Sequence, residues 1–397
     1  MGDAMPDGGE AITVRIIRAI DEIPTAEWDA CAVGDPFTRH AFLSSLEDSG
    51  SATGKTGWLP QHLVAEDAGG RVLGVAPMYL KSHSYGEYVF DWGWAEAYER
   101  AGGRYYPKLQ VSVPFTPATG RRLLVRPGQT RDVEAALIAG LEQIAQRAGI
   151  SSIHVTFPTE HEWTRFGEAG WLQRIGEQFH WRNRGYDSFD GFLDALASRK
   201  RKAIRKERRQ VEESGVRLHA LSGDDLKSEH WDAFYAFYTG TSDRKWGYPY
   251  LTREFFHLLD ARMAEDVVLM MAEHDGSWIA GALNLKSADT LFGRNWGCLE
   301  EYRFLHFEAC YYQAIDYAIL NGLERVEAGA QGPHKIQRGY EPITTYSAHW
   351  IADPALRNGV ESFLRRERDA VEGEIAYLDE HTPFRRAPDG SRLEDES

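Results

Sequence analysis

The chain has 397 residues, 43% hydrophobic and 12% aromatic, enough to bury a large core and to build two domains. Its net charge of -15 excludes a protein that coats nucleic acid or anionic membrane over its whole surface, and leaves room for one local basic patch. Three cysteines, Cys31, Cys298 and Cys310, form no paired framework and no CxxC, which fits a reducing, cytoplasmic setting.

Residues 1–10 lack the basic and apolar regions of a signal peptide. No apolar run approaches the ~20 residues that span a bilayer, so no membrane insertion is expected. Residues 1–10 and 381–397 read as disordered ends. GSATGKT at 50–56 imitates a phosphate-binding loop, but Ser49 stands where the first glycine belongs. Gly57, Trp58, Leu59 and Pro60 follow where a helix is required, so a surface loop is predicted.

The main organising signal is an internal duplication. LVAE at 63–66 and LMMAE at 269–273 are each followed by a glycine nine residues after the alanine, Gly74 and Gly281. Lys81-Ser82 precedes Trp92-Gly93 as Lys286-Ser287 precedes Trp296-Gly297. GISSIH at 149–154 returns as GLERVE at 322–327. Gly170-Trp171 with His180-Trp181 returns as Gly339-Tyr340 with His349-Trp350. Each copy reads as helix, strand hairpin, helix, strand and final strand. Copy one is placed at 11–190 and copy two at 191–380, as two superposable sheets in which Trp92 and Trp296 are equivalent. An insertion of about thirty residues in copy one, 95–126, carries Tyr105, Tyr106, Lys108 and VPFTPATGRR at 113–122, counted from the repeat spacing. Thr130 then caps a helix whose buried stripe is Val133, Leu137, Leu141 and Ile144.

Between the copies, eight of the eleven residues from 199 to 209 are basic. A helix there places Arg201, Arg205 and Arg208 or Arg209 along one side, suited to phosphates of a nucleotide, a coenzyme or a tRNA. The alternative is a solvated helix face between domains. In copy two, Phe304, Phe307, Tyr311, Ile315 and Ala318 predict an amphipathic helix that stops at Asn321-Gly322. A short strand at 325–328 follows, and then a glycine-rich stretch holding Gln331, His334, Lys335, Arg338 and Tyr340. Ligands of open α/β sheets bind beyond the carboxyl ends of strands, so this stretch is the candidate centre.

These residues resemble a known family. The run at 199–211 resembles the basic helix signature of Fem-type peptidyltransferases. DRKWG at 243–247, AGALNL at 280–285, GRNWGC at 293–298, LHFE at 305–308 and the block 327–340 resemble FemAB-like N-acyltransferases of the peptidoglycan biosynthesis/recognition type. The likeness runs from about 23 to 384. It implies an α/β fold of two tandem GNAT-like domains, each a mixed central sheet flanked by helices. It implies acyl or aminoacyl transfer to an amine, from acyl-CoA or aminoacyl-tRNA, with a peptide or cell-wall precursor as acceptor and no DNA partner. TGRR at 119–122 partly echoes the GNAT coenzyme loop.

Acyl transfer needs a base for the amine and donors for an oxyanion. Glu327 and His334 are the candidate bases. Lys335, Gly329 and Gly332 are candidate oxyanion donors, and Tyr340 is placed to protonate the leaving group. Gln331, Arg338, Arg244, Lys245, Trp246, Arg294, Trp296, His306 and Glu308 line the expected substrate cleft, with Tyr106, Lys108 and Arg121 from copy one. Arg201, Arg205 and Arg209 are assigned to donor phosphates. His306 and Cys310 share a helix face, but Glu308 points away and no further ligand stands nearby, so no metal is expected. A non-catalytic recognition module for a cell-wall precursor, and a nucleic-acid binder using 199–209, are the competing classes.

Overall fold

The computed structural model describes residues 11–129, 131–245, 249–329 and 332–385. The first half contains β1 (Thr13–Ile17), β2 (Trp58–Pro60), β3 (His62–Glu66), β4 (Val72–Ala76), β5 (Met78–Lys81), β6 (Lys108–Val111), β7 (Leu124–Val125), β8 (Ser152–Thr156) and β9 (Leu172–Arg182). The second contains β10 (Arg217–Leu221), β11 (Val267–His274), β12 (Ser277–Lys286), β13 (Thr290–Cys298), β14 (Arg325–Glu327) and β15 (Glu341–Ile351).

The strands form an eleven-stranded sheet, β10-β11-β12-β13-β14-β9-β15-β8-β6-β5-β2, and a four-stranded sheet, β1-β3-β4-β7. This corrects the expectation of one separate sheet per copy. Two local causes are visible. Proline has no N–H for a ladder, and Pro77 separates β4 from β5, so one hairpin arm serves both sheets. Its counterpart β12 has no proline and runs unbroken over ten residues.

The second cause is an exchange of final strands. β9 ends the first half but pairs with β14, aligning His180 with Glu327. β15 ends the second half but pairs with β8, aligning His349 with His154. The two exchanged strands also pair with each other, from Glu341–His180 to His349–Leu172. The internal echoes at 149–154 and 322–327, and the two His-Trp pairs, thus fall on matching strands. β3 and β11 even share a bulge at the same place, between Ala65 and Glu66 and between Ala272 and Glu273. The tryptophan equivalence does not hold. Trp92 opens a helix, Trp92–Arg100, whereas Trp296 lies in β13. By pairing, β6 is the partner of β13: each runs parallel to the next strand, β8 or β14. A Trp-Gly dipeptide carries no information on pairing, and the matching strand lies past the extra helix.

Helices pack as their periodicity requires. Arg131–Ala148 buries Val133, Leu137 and Leu141 as the stripe predicts, while Ile144, its fourth member, is only half-buried; the capping residue Thr130 lies outside the described residues. A core shared by both halves joins Trp28, Phe37 and Phe42 to Phe255 and Phe292. Its edge-to-face pairs Phe37–Phe292 at 5.1 Å and Phe42–Phe255 at 5.7 Å each contribute about 0.5–1.5 kcal/mol beyond burial. Among the described residues no helix is long and apolar enough to cross a membrane.

Candidate functional site

The helical segment before the site runs from Leu305 to Leu320, with a π-helical stretch at Glu308–Tyr312. Single π-turns recur at functional sites. Gly322 takes the left-handed conformation that ends it, and β14 follows as the sequence predicts. β13 and β14 run parallel and pair only from Thr290–Arg325 to Phe292–Glu327. Beyond that point β13 continues along β12 to Cys298, while Gly329, with φ of 74°, turns its own chain away. The strands part narrowly: a Cβ on Gly293 would sit 3.3 Å from the Glu327 carbonyl oxygen. Among the described residues no strand covers the edge of β13 from 293 to 298. At its end the Cys298 N–H donates to Thr241 Oγ1, and the stretch before it offers backbone hydrogen bonds to an extended ligand.

Adjacent strand residues face opposite ways, so this opening has two sides. Glu327 faces the first half. It is 8% exposed, and its Oε2 has no hydrogen-bond partner among the described residues. Burial pushes its carboxyl up to about 8, only partly offset by Arg325 and Arg294, with Asp35 adding to the rise. His180 Nδ1 lies 3.7 Å from Glu327 Oε1. Burial and the charge of Arg325 hold that imidazole down to about 3, so the contact is between neutral groups at neutral pH and is not an ion pair. Gln178 supports His180: its Oε1 is 3.2 Å from His180 Nε2, and its Nε2 donates to the Pro117 carbonyl at 2.7 Å. Arg294 joins the same side; it donates to the Phe115 carbonyl and lies over the Phe37 ring.

The other side is an aromatic shelf. Trp296, His306, Phe307 and Tyr311 follow one another edge to face or stacked at 5.4–6.0 Å. His334 rests on Phe307 and Tyr311, and Tyr311 Oη is 3.0 Å from its Nε2. Glu327 and His334 therefore do not converge. Val326, next to Glu327, packs in the core that includes Tyr311, so the two candidate bases look to opposite faces.

Several expected site residues are instead braces. Lys335 is 1% exposed and donates to the Gly329 carbonyl at 2.8 Å, which holds the turn; burial lowers its amine to about 8. Arg338 donates to the His334 carbonyl and to Glu207, and its guanidinium lies 3.5 Å over Phe307. Glu308 is buried against Arg208. Tyr340 is fully buried and its hydroxyl has no partner among the described residues, so it is closed off from a leaving group. An unpaired buried hydroxyl costs about 1–3 kcal/mol. Tyr340→Phe is therefore expected to keep or raise the urea midpoint; a loss of more than about 1 kcal/mol would show that the hydroxyl has a partner.

In the first half, Arg121 is spent on the carbonyls of Cys31, Val33 and Val125, and the hollow it borders, with Arg126, Glu134 and His161, is not the β13–β14 opening. Tyr106 shares a hydrogen bond with Ser84. Lys108 is fully buried, with Nζ 2.7 Å from Glu87, 2.5 Å from Asp91 and 2.8 Å from Ser84. Tyr105 bridges Asp91 to His154, and His154 Nδ1 meets His349 Nδ1 at 2.7 Å. This cluster ties β15 into the first half and replaces the substrate contacts expected of Lys108.

The basic helix, Ser198–Glu213, packs beside the 333–338 turn through Lys200–Gln337 and Arg338–Glu207. Its free face differs from the expected one. Arg201 and Arg205 are paired with Asp194 and Asp190, and Arg208 is clamped by Glu308 and Asp316. Arg199, Lys202, Lys206 and Arg209 are the exposed cations of the helix outside these pairs among the described residues, at three- and four-residue steps. Of the assigned phosphate contacts only Arg209 belongs to this stripe. Gln331 and Trp246 lie outside the described residues, as do the side chains of Arg244 and Lys245.

Sequence reasoning missed His180 and Gln178 as site residues. The signal was present: the repeat aligns His154 with Glu327 and His349 with His180. Only the strand exchange turns that into contact.

The sequence family described as FemAB-like, peptidoglycan biosynthesis/recognition, matches residues 19–386. No curated protein matches. Among solved structures, FemX is 13% identical with a TM-score of 0.55, over 85% of this chain and 98% of that one. A tandem GNAT protein from the clavulanic acid biosynthesis pathway is 14% identical with a TM-score of 0.48, over 87% and 99%. L-PGS from Bacillus licheniformis is 10% identical with a TM-score of 0.49, over 81% and 95%. The FemX likeness, the parallel pair β13–β14 with its opening and its counterpart β6–β8 give the fold as two GNAT-like domains in tandem. On the match to nearly its whole length, the chain belongs to the FemAB-like family.

Proposed function

We propose that the protein is an N-acyltransferase whose reaction centre is the opening between β13 and β14, with Glu327 as the base. The observation that carries this reading is the buried Glu327 carboxyl, whose Oε2 has no partner among the described residues, at the mouth of an uncovered strand edge. An unpaired buried carboxyl costs stability, and such groups cluster at functional sites. A carboxyl tuned up to about 8 suits removal of a proton from an amine near neutral pH. In the step, the acceptor nitrogen bonds to the acyl carbon and passes its proton to Glu327. The bond from that carbon to the donor oxygen or sulfur then breaks, and the leaving atom is protonated by solvent. Backbone amides of the free β13 edge and of Gly329 are the oxyanion donors. A recognition module has no use for such a base, and Glu327 does not face solvent as a bystander would.

The donor is aminoacyl-tRNA on this reading, with acyl-CoA as the competing outcome, and a cytoplasmic setting follows from either. The cations Arg199, Lys202, Lys206 and Arg209 form a stripe of about 15 Å on the solvent side of the basic helix, longer than a single diphosphate requires. The acceptor is an amine of a peptide or cell-wall precursor, in keeping with the family. The test is transfer of label from aminoacyl-tRNA or acyl-CoA to a panel of amine-bearing precursors; no transfer from either donor would overturn the proposal. Replacing Arg199, Lys202, Lys206 and Arg209 by glutamine is expected to flatten the salt slope of RNA binding by about 3–4 and to weaken binding on the order of 100-fold at low salt. Arg201→Gln with Arg205→Gln should change it far less, because both are already paired. Equal effects of the two sets would remove the stripe from the donor site.

A further inference from the structure

The Glu327 reading leaves open what fixes the proton-accepting state of that carboxyl, and the first half of the chain supplies an answer. The Pro117 carbonyl can only accept a hydrogen bond, so the group 2.7 Å away on Gln178 is its NH2. The amide oxygen of Gln178 then points at His180 Nε2, 3.2 Å off. That oxygen can only accept, so Nε2 carries the ring hydrogen and Nδ1 keeps its lone pair. Nδ1 is the atom that faces Glu327, at 3.7 Å. We infer that Gln178 is a positioning residue that, through the carbonyl of Pro117, locks His180 in the Nε2–H tautomer and so presents a proton acceptor to the Glu327 carboxyl. This deepens the reading of Glu327 as base and rests on it.

The consequence is a carboxyl whose ionisation is held back to higher pH, so that the ionised fraction, which alone takes the amine's proton, is a strong base. A lone pair beside a carboxyl favours the neutral acid, whereas an N–H there would favour the carboxylate. The other charges around Glu327 do not do this alone. Arg325 on its own strand and Arg294 on β13 pull its proton off; Asp35 from the first half and Asp289 before β13 hold it on; Arg122 lies within electrostatic reach. His180 in turn faces Arg325, Arg182 and Lys335, three cations that oppose imidazolium. The ring therefore stays neutral, and its tautomer is the variable that Gln178 sets. The matching position in the other half is built differently. There His154, at the place of Glu327, meets His349 nitrogen to nitrogen, and the nearby carboxyl, Asp91, lies 3.5 Å from His154 Nε2 from another element and is neutralised by Lys108.

The experiment is ring-nitrogen NMR on the full chain with 15N-labelled histidine, His180 assigned by its loss in His180→Asn. The wild type is expected to show the neutral Nε2–H tautomer from pH 6 to pH 9. In Gln178→Leu the Nδ1–H form becomes the major one. If the leucine variant does not fold, Gln178→Asn keeps polarity but is too short to span both partners and serves the same purpose. A wild-type Nδ1–H tautomer, an imidazolium, or unchanged signals in a folded variant would each overturn the inference. This readout needs no substrate, so it fails independently of the transfer reaction. Where transfer is measured, the variants should move its pH midpoint down by about one unit with little change in KM. A purely structural role for Gln178 would move the rate at all pH values and leave the midpoint in place.

Discussion

Glu327→Gln is expected to lower the transfer rate by about 10²–10⁴-fold while substrate affinity changes little. Glutamine keeps the size and polarity of the side chain and removes its capacity to take a proton. In the wild type the rate should rise with pH through a midpoint of about 8, because only the ionised carboxyl is a base and burial sets its pKa there. The residual rate of the variant should lose that midpoint. The same substitution carries a stability signature of opposite sign. The folded carboxyl holds its proton up to about pH 8, whereas the unfolded one releases it near 4.5. Across that window the folded state binds more protons than the unfolded state, so wild-type stability falls as pH rises, and the whole penalty is present above pH 8. Glu327→Gln removes the penalty. The variant should therefore be more stable than the wild type above pH 8 by an amount on the order of a few kcal/mol, shrinking toward zero below pH 4.5. Urea midpoints at pH 5, 7 and 9 measure this. A variant less stable than the wild type at pH 9 would show that the carboxylate is paired, and an unaltered transfer rate would move the base elsewhere.

Lys108→Met is expected to cost about 3–5 kcal/mol of stability, the largest loss for a single residue of the first half. Lys108 lies fully buried between Glu87 and Asp91. Burial alone would lower its amine and raise both carboxyls. The mutual attraction overrides this for two of the three: Lys108 is raised and Asp91 is lowered by Lys108, while Glu87 stays up at about 7. Removing the cation leaves the buried Asp91 charge with only the Tyr105 hydroxyl and the more distant Lys81 to offset it. The loss should shrink as pH falls and the carboxyls take up protons. The quadruple change Lys108→Met, Glu87→Gln, Asp91→Asn and Lys81→Met should recover much of it, since Lys81, buried 3.8 Å from Glu87, belongs to the same set and a neutral set of similar volume avoids the desolvation of charge. Thermal unfolding of the single and quadruple variants over pH 5–8 is the measurement. A single variant within 1 kcal/mol of the wild type would mean that the cluster is hydrated and that its charges are screened.

The sequence by itself determined what is local or periodic. The stripe Val133, Leu137, Leu141 gave a helix because its spacing is that of a helical face, and Gly322 stopped the next one because it accepts a left-handed backbone. The repeat echoes at 149–154 and 322–327 marked equivalent strands, and Glu327 was legible as the last residue of one of them. The eight cations at 199–209 were plainly a helix with a strong local field. What only the tertiary structure decided was which side chains meet. Strand pairing is set by burial and hydrogen bonding between distant segments, so nothing near residue 180 announces that β9 leaves its own half to lie beside β14. That exchange brings His180 and Gln178 to Glu327, and it parts Glu327 from His334, which stands close in sequence but on the opposite face. Burial decided the rest. Lys108, Lys335 and Tyr340 have the chemistry of a site, and the fold encloses all three. Asp190, Asp194, Glu308 and Asp316 neutralise one side of the basic helix and leave the other, Arg199 to Arg209, as the face that is free to bind.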